Sequence, residues 1–307
     1  MADTAGKDEQ GAALLAEAEA KLNEGSAVGF LSSWFGGNSE GRKAEEAADL
    51  FVRAGNSYKL AKNYRQAGVA YSKGGDAYEK AARLNGLGTF EAGSKHADAA
   101  KMFRQAKDSE RAASSYRKAA QLHSDGGRFQ QAAKMSKELA ELEEELGKNA
   151  SAKTWYARAA DLYEGDDMKS QASTCRVKVA ELNALEENYD AAAGDFEAVA
   201  EYSLSNKMLK FGARDHLLKA GICRLAVGDD IAAVRAVERY GLLDSSFADS
   251  REGKFLDALV KAKEDSDLNK FMDAISQFDS VTRLDPWKTS ILLRVKNTIR
   301  SIEDDLT

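Results

Sequence analysis

Residues 111–123 read RAASSYRKAAQLH, and residues 151–163 read SAKTWYARAADLY. When the two are superposed, Tyr116 matches Tyr156, Ala119 and Ala120 match Ala159 and Ala160, and Leu122 matches Leu162. One further period along the chain, GDFEAVAEY places Phe196 at the aromatic position, followed by Val199, Ala200 and Tyr202. Upstream, DLFVRAGNSY puts Phe51, Ala54 and Gly55 in the same roles. A second motif marks the partner helices: Asn63-Tyr64-Arg65-Gln66-Ala67-Gly68, Arg128-Phe129-Gln130-Gln131-Ala132-Ala133 and Asn188-Tyr189-Asp190-Ala191-Ala192-Ala193. An aromatic followed three and four positions later by small residues occupies one helical face. Small residues let two helices approach, and the aromatic fills the hole between hairpins. These aromatics are therefore expected in the core.

A helical hairpin repeated at about 40 residues is the mark of an α-solenoid, because no single unit buries its apolar face alone. The expected fold is all-α: a tetratricopeptide-like α-solenoid of antiparallel hairpins over 1–228, with a hydrophobic loop at 25–37, closed by a helical bundle and acidic tail over 229–307. The period is longer than that of a strict tetratricopeptide repeat, which is about 34 residues. Near the end, Trp287, Ile291, Leu292, Val295, Ile299 and Ile302 form one stripe, and Pro286 after Asp285 suits a helix start.

Composition agrees. Pro286 is the only proline in 307 residues, whereas ordinary usage is about one in twenty. A chain so poor in proline is mostly helix joined by glycine-type caps, which excludes a β-sandwich, a collagen-like fibre or a proline-rich linker. With 43% apolar and 31% charged residues it can bury a core. Cys175 and Cys223 form no CxxC pair, so neither a disulfide framework nor a zinc module is expected. The acidic, polar start reads as no signal or transit peptide, and no run of eighteen apolar residues suggests a membrane span. A cytoplasmic protein is expected.

The net charge of −6 disfavours a nucleic-acid partner, yet it is unevenly spread. Residues 42–134 carry 18 basic and 10 acidic side chains; residues 1–41 carry 2 and 7, 135–228 carry 12 and 17, and 229–307 carry 12 and 16. A basic early body between acidic flanks suggests two partners of different charge.

No catalytic set emerges. His96, His123 and His216 fall in separate repeats without ligand spacing and are expected to be partly exposed or capping residues. The stretch Gly36–Lys43 lacks both the GK[ST] ending and the preceding strand of a phosphate loop. Glu143, Glu144 and Glu145, like Asp166 and Asp167, read as solvated helix ends. Neither a cofactor nor a metal is implied. Two ends stand out. GSAVGFLSSWFGG (25–37) sets Phe30, Leu31, Trp34 and Phe35 among glycines and serines, to fold back on the first hairpin or to insert into a bilayer interface. Glu303, Asp304 and Asp305 precede Leu306 after the last helix, where acids oppose the helix dipole, so this is a fraying tail or an anchor for a basic partner.

Together, LLAEAEAKL (14–22), FLSSWFGG (30–37), NSYKLAKNY (56–64), GGRFQQAAK (126–134), FADSRE (247–252), FDSVTRLDPW (278–287), ILLRVKNTI (291–299) and EDDL (303–306) resemble the soluble NSF attachment proteins, alpha type. The resemblance implies a non-enzymatic adaptor: a monomer when free, several copies of which wrap the four-helix SNARE bundle, syntaxin-type helices included, and recruit the hexameric NSF ATPase that pulls the bundle apart. By position it implies SNARE contacts at Lys62, Arg128, Lys134 and Arg214, with the acids Glu45, Glu46 and Asp49 near that face. Thr174 stands where the family has a lysine, with Arg176 and Lys178 close by. ATPase contacts are implied at Asp229 or Asp230, Glu264, Asp265, Glu303, Asp304, Asp305 and Leu306, with Lys261 replacing a family acid. Phe30, Leu31, Trp34 and Phe35 match a membrane-attachment loop, which implies peripheral membrane association. The alternative left open by the repeat alone is a general tetratricopeptide-like scaffold that binds an extended peptide.

Overall fold

The structure is a computed structural model and describes residues 2–23, 39–86 and 89–306. Among the described residues the regular structure is helical, without a strand. The chain forms two compact units, residues 1–172 and 173–307. In the first, α1 (Ala2–Asn23), α2 (Ser39–Leu60), α3 (Tyr64–Asn85), α4 (Phe90–Gln105), α5 (Ser109–Asp125), α6 (Phe129–Glu145) and α7 (Asn149–Gly165) each pack on the next. Helix α8 (Lys169–Leu185) runs across the division. In the second follow α9 (Tyr189–Ser205), a 3-10 turn (Lys210–Gly212), α10 (Ala213–Val227), α11 (Asp230–Leu243), α12 (Arg251–Glu264), α13 (Leu268–Val281) and α14 (Pro286–Leu306).

One turn recurs. Its left-handed residue is Lys62, Lys107, Gly127, Gly147, Asp167, Glu187 or Ser266. The next amide donates to the carbonyl five residues back, as from Asn63 to Tyr58 at 2.9 Å, Arg128 to His123 at 2.8 Å and Asn188 to Asn183 at 2.9 Å. With the bond from the left-handed residue to the carbonyl three back, as from Lys62 to Lys59 at 3.0 Å, this is a Schellman cap. From Lys107 through Gly127, Gly147 and Asp167 to Glu187 it returns at even spacing, once per helix. Two such steps carry Tyr116 onto Tyr156, so the period seen in the sequence is one hairpin. Among the described residues glycine-type caps hold at Gly86, Gly127, Gly147 and Gly228, whereas five positions carry side chains at φ 52 to 66°. There the paired cap bonds sustain a conformation that costs an L-residue about 1–2 kcal/mol.

The repeat aromatics Phe51, Tyr116, Tyr156 and Phe196 are fully buried, as are Ala119, Ala120, Ala159 and Ala160. Phe129, in the second motif, is instead 44% exposed, because it starts its helix and only Ala132 and Ala133 point inward. Glycine receives rings from neighbouring helices. A Cβ on Gly68 would stand 2.7 Å from the Phe103 ring, and one on Gly55 would stand 2.8 Å from Tyr71. His96 against Gly75 and His123 against Gly93 do the same, each at 2.8 Å. Both histidines are thus buried ring-fillers, not the partly exposed or capping residues expected from their spacing. Glu143 is also corrected: it is 3% exposed, between Arg117 at 3.9 Å and Lys148 at 3.4 Å, rather than at a solvated end.

In the second unit α10 is the hub, packed on α9, α11, α12 and α14. Ile291, Leu292, Val295 and Ile299 of α14 are buried there, and the Trp287 ring meets Phe196 edge-on at 5.4 Å. Asp285 caps α14 by accepting from the Lys288 amide at 2.7 Å, so Pro286 opens this helix as its sequence suggests. Lys288 is buried yet bonded to Asp215 at 2.6 Å and Asp285 at 2.9 Å. Burial of such a charge is tolerable only with both partners in place.

Candidate functional site

Most cations of the first unit are matched by neighbouring carboxylates. Arg104 reaches Glu138 at 3.3 Å and Glu145 at 2.5 Å, and Lys118 binds Asp76 and Glu79. Among the described residues, no ion pair holds Lys62 or Lys134, both exposed. Lys62 projects from a Schellman turn, and Lys134 from the outer side of α6. Arg128 is exposed too, its guanidinium 4.2 Å over the Phe90 ring, a cation–π contact that orients a planar charge. Cations without internal partners keep their full attraction for an acidic surface.

Three predicted residues meet in one cleft. Glu45, Asp49 and Arg128 line a space of about 410 Å³ with Tyr78, Phe90 and Glu91. The Tyr78 hydroxyl donates to Asp49. Burial, and then that carboxylate, push the phenol above its ordinary value, so Tyr78 remains a donor. Glu46 faces elsewhere, bonded to Lys21 at 2.5 Å with Arg42 at 3.7 Å. The bond from Lys21 chiefly holds its carboxyl below the ordinary value. Lys62 and Lys134 do not line the cleft. Sequence reasoning missed Tyr78, Phe90 and Glu91; an aromatic opening α4 was the one available hint.

In the second unit Arg214 is not free. It donates to Ser246 at 2.9 Å and lies 3.8 Å from Asp244. Burial opposes the charge of Asp244, but bonds from the Ser246 hydroxyl and amide, with Arg214 nearby, hold its carboxyl below the ordinary range. Thr174 is exposed on α8 and precedes the left-handed Glu187 by the same interval as Lys134 precedes Gly147. The two share a register, one with a charge and one without.

The acids expected to face an ATPase divide by role. Asp229 caps α11, accepting from the Ala232 amide at 2.9 Å, and Asp230 holds the buried Lys263. Asp265 pairs with Lys270 at 3.0 Å. Glu264 is exposed without an ion pair among the described residues. Lys261 is bonded to Asp257 at 2.7 Å. Helix α14 continues through Glu303, Asp304 and Asp305 to Leu306, so these residues form its last turn and not a separate tail. Their side chains, like the whole of Phe30, Leu31, Trp34 and Phe35, lie outside the described residues.

A family model described as "Soluble NSF attachment protein, SNAP" matches residues 9–300. The chain belongs to the soluble NSF attachment protein family. It is 36% identical over 304 residues to the alpha-soluble NSF attachment protein of Homo sapiens, covering 99% of both chains. It is 40% identical over 270 residues to that of Vitis vinifera, covering 87% of this chain and 91% of the relative. Against that of Saccharomyces cerevisiae the identity is 35% over 279 residues, covering 91% and 93%. The SNAP match spans hairpins and closing helices alike, so both units are the family's own. No helix among the described residues of this SNAP is long and apolar enough to cross a membrane.

Proposed function

We propose that this chain is a SNARE-disassembly adaptor: it grips an assembled four-helix SNARE bundle and attaches an NSF-type hexameric ATPase to it during vesicle fusion cycles. The observation that carries the reading is the full-length SNAP family match. The excess of cations over 42–134 supports a grip on an acidic partner, with Lys62 and Lys134 exposed and in no ion pair among the described residues. In this reading Lys62, Arg128 and Lys134 meet the bundle directly, and the cleft of Glu45, Asp49 and Arg128 takes side chains of mixed charge from it.

Arg214 and Glu46 act as positioning residues, since both are tied to neighbours. Glu264 and the last turn of α14, with Leu306, meet the ATPase, while Asp229 and Asp230 shape that end by holding α11. Phe30, Leu31, Trp34 and Phe35 attach the adaptor to the membrane beside the SNARE anchors, which makes it a cytoplasmic, peripheral protein. The adaptor is non-enzymatic and needs no cofactor; hydrolysis belongs to the ATPase. Several copies on one bundle add avidity.

The decisive experiment combines purified SNARE complex, the ATPase, ATP and this protein. Disassembly is expected only when the adaptor is present. No stimulation over the ATPase alone would refute the reading.

A further inference from the structure

Helices α3, α4 and α5 bring four ionisable groups together in the first unit, none of which lines the cleft of Glu45, Asp49 and Arg128. Asp76 and Glu79 are three residues apart on α3 and so share a face. His96 comes from α4 and Lys118 from α5. One ligand atom each from Asp76, Glu79 and His96 falls within 4.8 Å of the others.

The histidine is the informative member. It is 2% exposed, and its Nε2 makes no hydrogen bond of good geometry, with Oδ1 of Asp76 at the long distance of 3.4 Å. A buried polar atom without a well-formed hydrogen bond is unfavourable. The ring is held where it is, because a Cβ on Gly75 would already stand 2.8 Å from Nε2. A fixed imidazole nitrogen beside two carboxylates, with no well-formed hydrogen bond of its own, offers three ligand atoms to one cation.

Arg83 is bonded to Oε1 of Glu79, and the Lys118 ammonium balances the remaining charge, bonded to Asp76 and 3.1 Å from Oε2 of Glu79. The Lys118 side chain is 40% exposed and ends a flexible stem, so it can leave for water. Asp76 also lines an open cleft of about 530 Å³ with Glu19, Lys73 and Lys80, which gives an ion a way in.

We propose that Asp76, Glu79 and His96 bind a divalent metal ion of the zinc class, displacing Lys118. One imidazole nitrogen with two carboxylate oxygens suits such ions, whereas calcium and magnesium prefer oxygen alone. Water completes the coordination. Lys118 is the built-in competitor, so binding also releases the link that it makes from α5 to α3.

The test is calorimetric titration of Zn²⁺ into the chelator-treated full-length protein, with Co²⁺ absorption to report the coordination geometry. One saturable Zn²⁺ site is expected, with a raised melting temperature. His96→Phe keeps a ring against Gly75 and should weaken binding by at least about tenfold, as should Asp76→Asn. Lys118→Met should tighten it by about tenfold, the weight of one nearby charge. Equal binding by wild type, His96→Phe and Asp76→Asn would overturn the assignment. So would the absence of saturable binding in both wild type and Lys118→Met.

Discussion

The ring of His96 lies so close to Gly75 that a Cβ there would stand 2.8 Å from it. This contact belongs to a series in which glycines of one helix receive rings from another, and it makes particular glycines structural in a sequence that contains 24 of them. Gly75→Ala is expected to destabilise the protein by about 1–3 kcal/mol, because the buried ring cannot yield and overpacking outweighs alanine's better helix propensity. Gly194, in α9, has nothing within 4 Å of its Cβ position, so Gly194→Ala should stabilise by about 0.5–1 kcal/mol. Urea unfolding of the two variants checks the opposite signs.

Lys107 holds φ 57° in its Schellman cap. Lys107→Gly should raise stability by about 0.5 kcal/mol, since relief of the left-handed strain exceeds the added freedom of the unfolded chain. Lys62→Gly, at φ 60°, should behave alike in unfolding but bind SNARE complex more weakly. A shared stability gain with divergent binding separates the turn from the charge.

Two buried groups contribute in distinct ways to the response to acid. Burial disfavours the charge of Glu197, but bonds from Arg224, Tyr240 and Arg239 overcome it and hold the carboxyl below its ordinary 4.5. Its contribution is present above pH 4.5 and is lost as pH falls through the lower folded value. Glu197→Gln should cost about 2 kcal/mol at neutral pH and shrink that acid-induced loss. Burial, then Arg128, lower His123 from 6.5. The unfolded chain therefore takes up the proton first, and stability declines as pH drops below about 6.5 toward the folded value. In His123→Phe this part of the pH profile should flatten. Stability measured from about pH 7.5 to about pH 3.5 reads both effects.

Reversal of the unpaired cations tests the SNARE grip. Lys62→Glu and Lys134→Glu should leave melting almost unchanged, because neither lysine is in an ion pair among the described residues. Both should slow association with SNARE complex, with the difference narrowing at high salt. Arg128→Glu should also lose its stacking on Phe90, of about 0.5–1 kcal/mol. Binding kinetics at two ionic strengths separate these outcomes.

The two ends have separate readouts. Leu306→Ala should preserve SNARE binding and lower adaptor-stimulated ATP hydrolysis; a wild-type rate would remove its anchor role. Replacing Phe30, Leu31, Trp34 and Phe35 by serine should impair disassembly of liposome-anchored complexes more than of soluble ones. Equal loss on both substrates would place those side chains against the first hairpin instead.

Much of the architecture is legible in the one-dimensional pattern. The matches of Tyr116 to Tyr156 and Ala119 to Ala159 give the hairpin period, and Pro286 after Asp285 marks the start of α14, because helical faces and caps depend on near neighbours. The charged groups are less legible. Lys62 and Arg214 look equivalent as basic residues, yet one is exposed without an ion pair among the described residues and the other is bonded to Ser246, 32 residues onward. Glu143 looks solvated beside Glu144 and Glu145 but is buried against Arg117 and Lys148.

Sequence by itself determines that this protein is a run of helical hairpins with a basic early body and acidic flanks, since period, composition and charge are local sums. Tertiary structure alone decides which charges remain available and which are spent internally. Lys288 meets Asp215 across 73 residues, and His96 meets Gly75 from another helix. Such pairings arise from helix stacking, which brings together groups that no local pattern links.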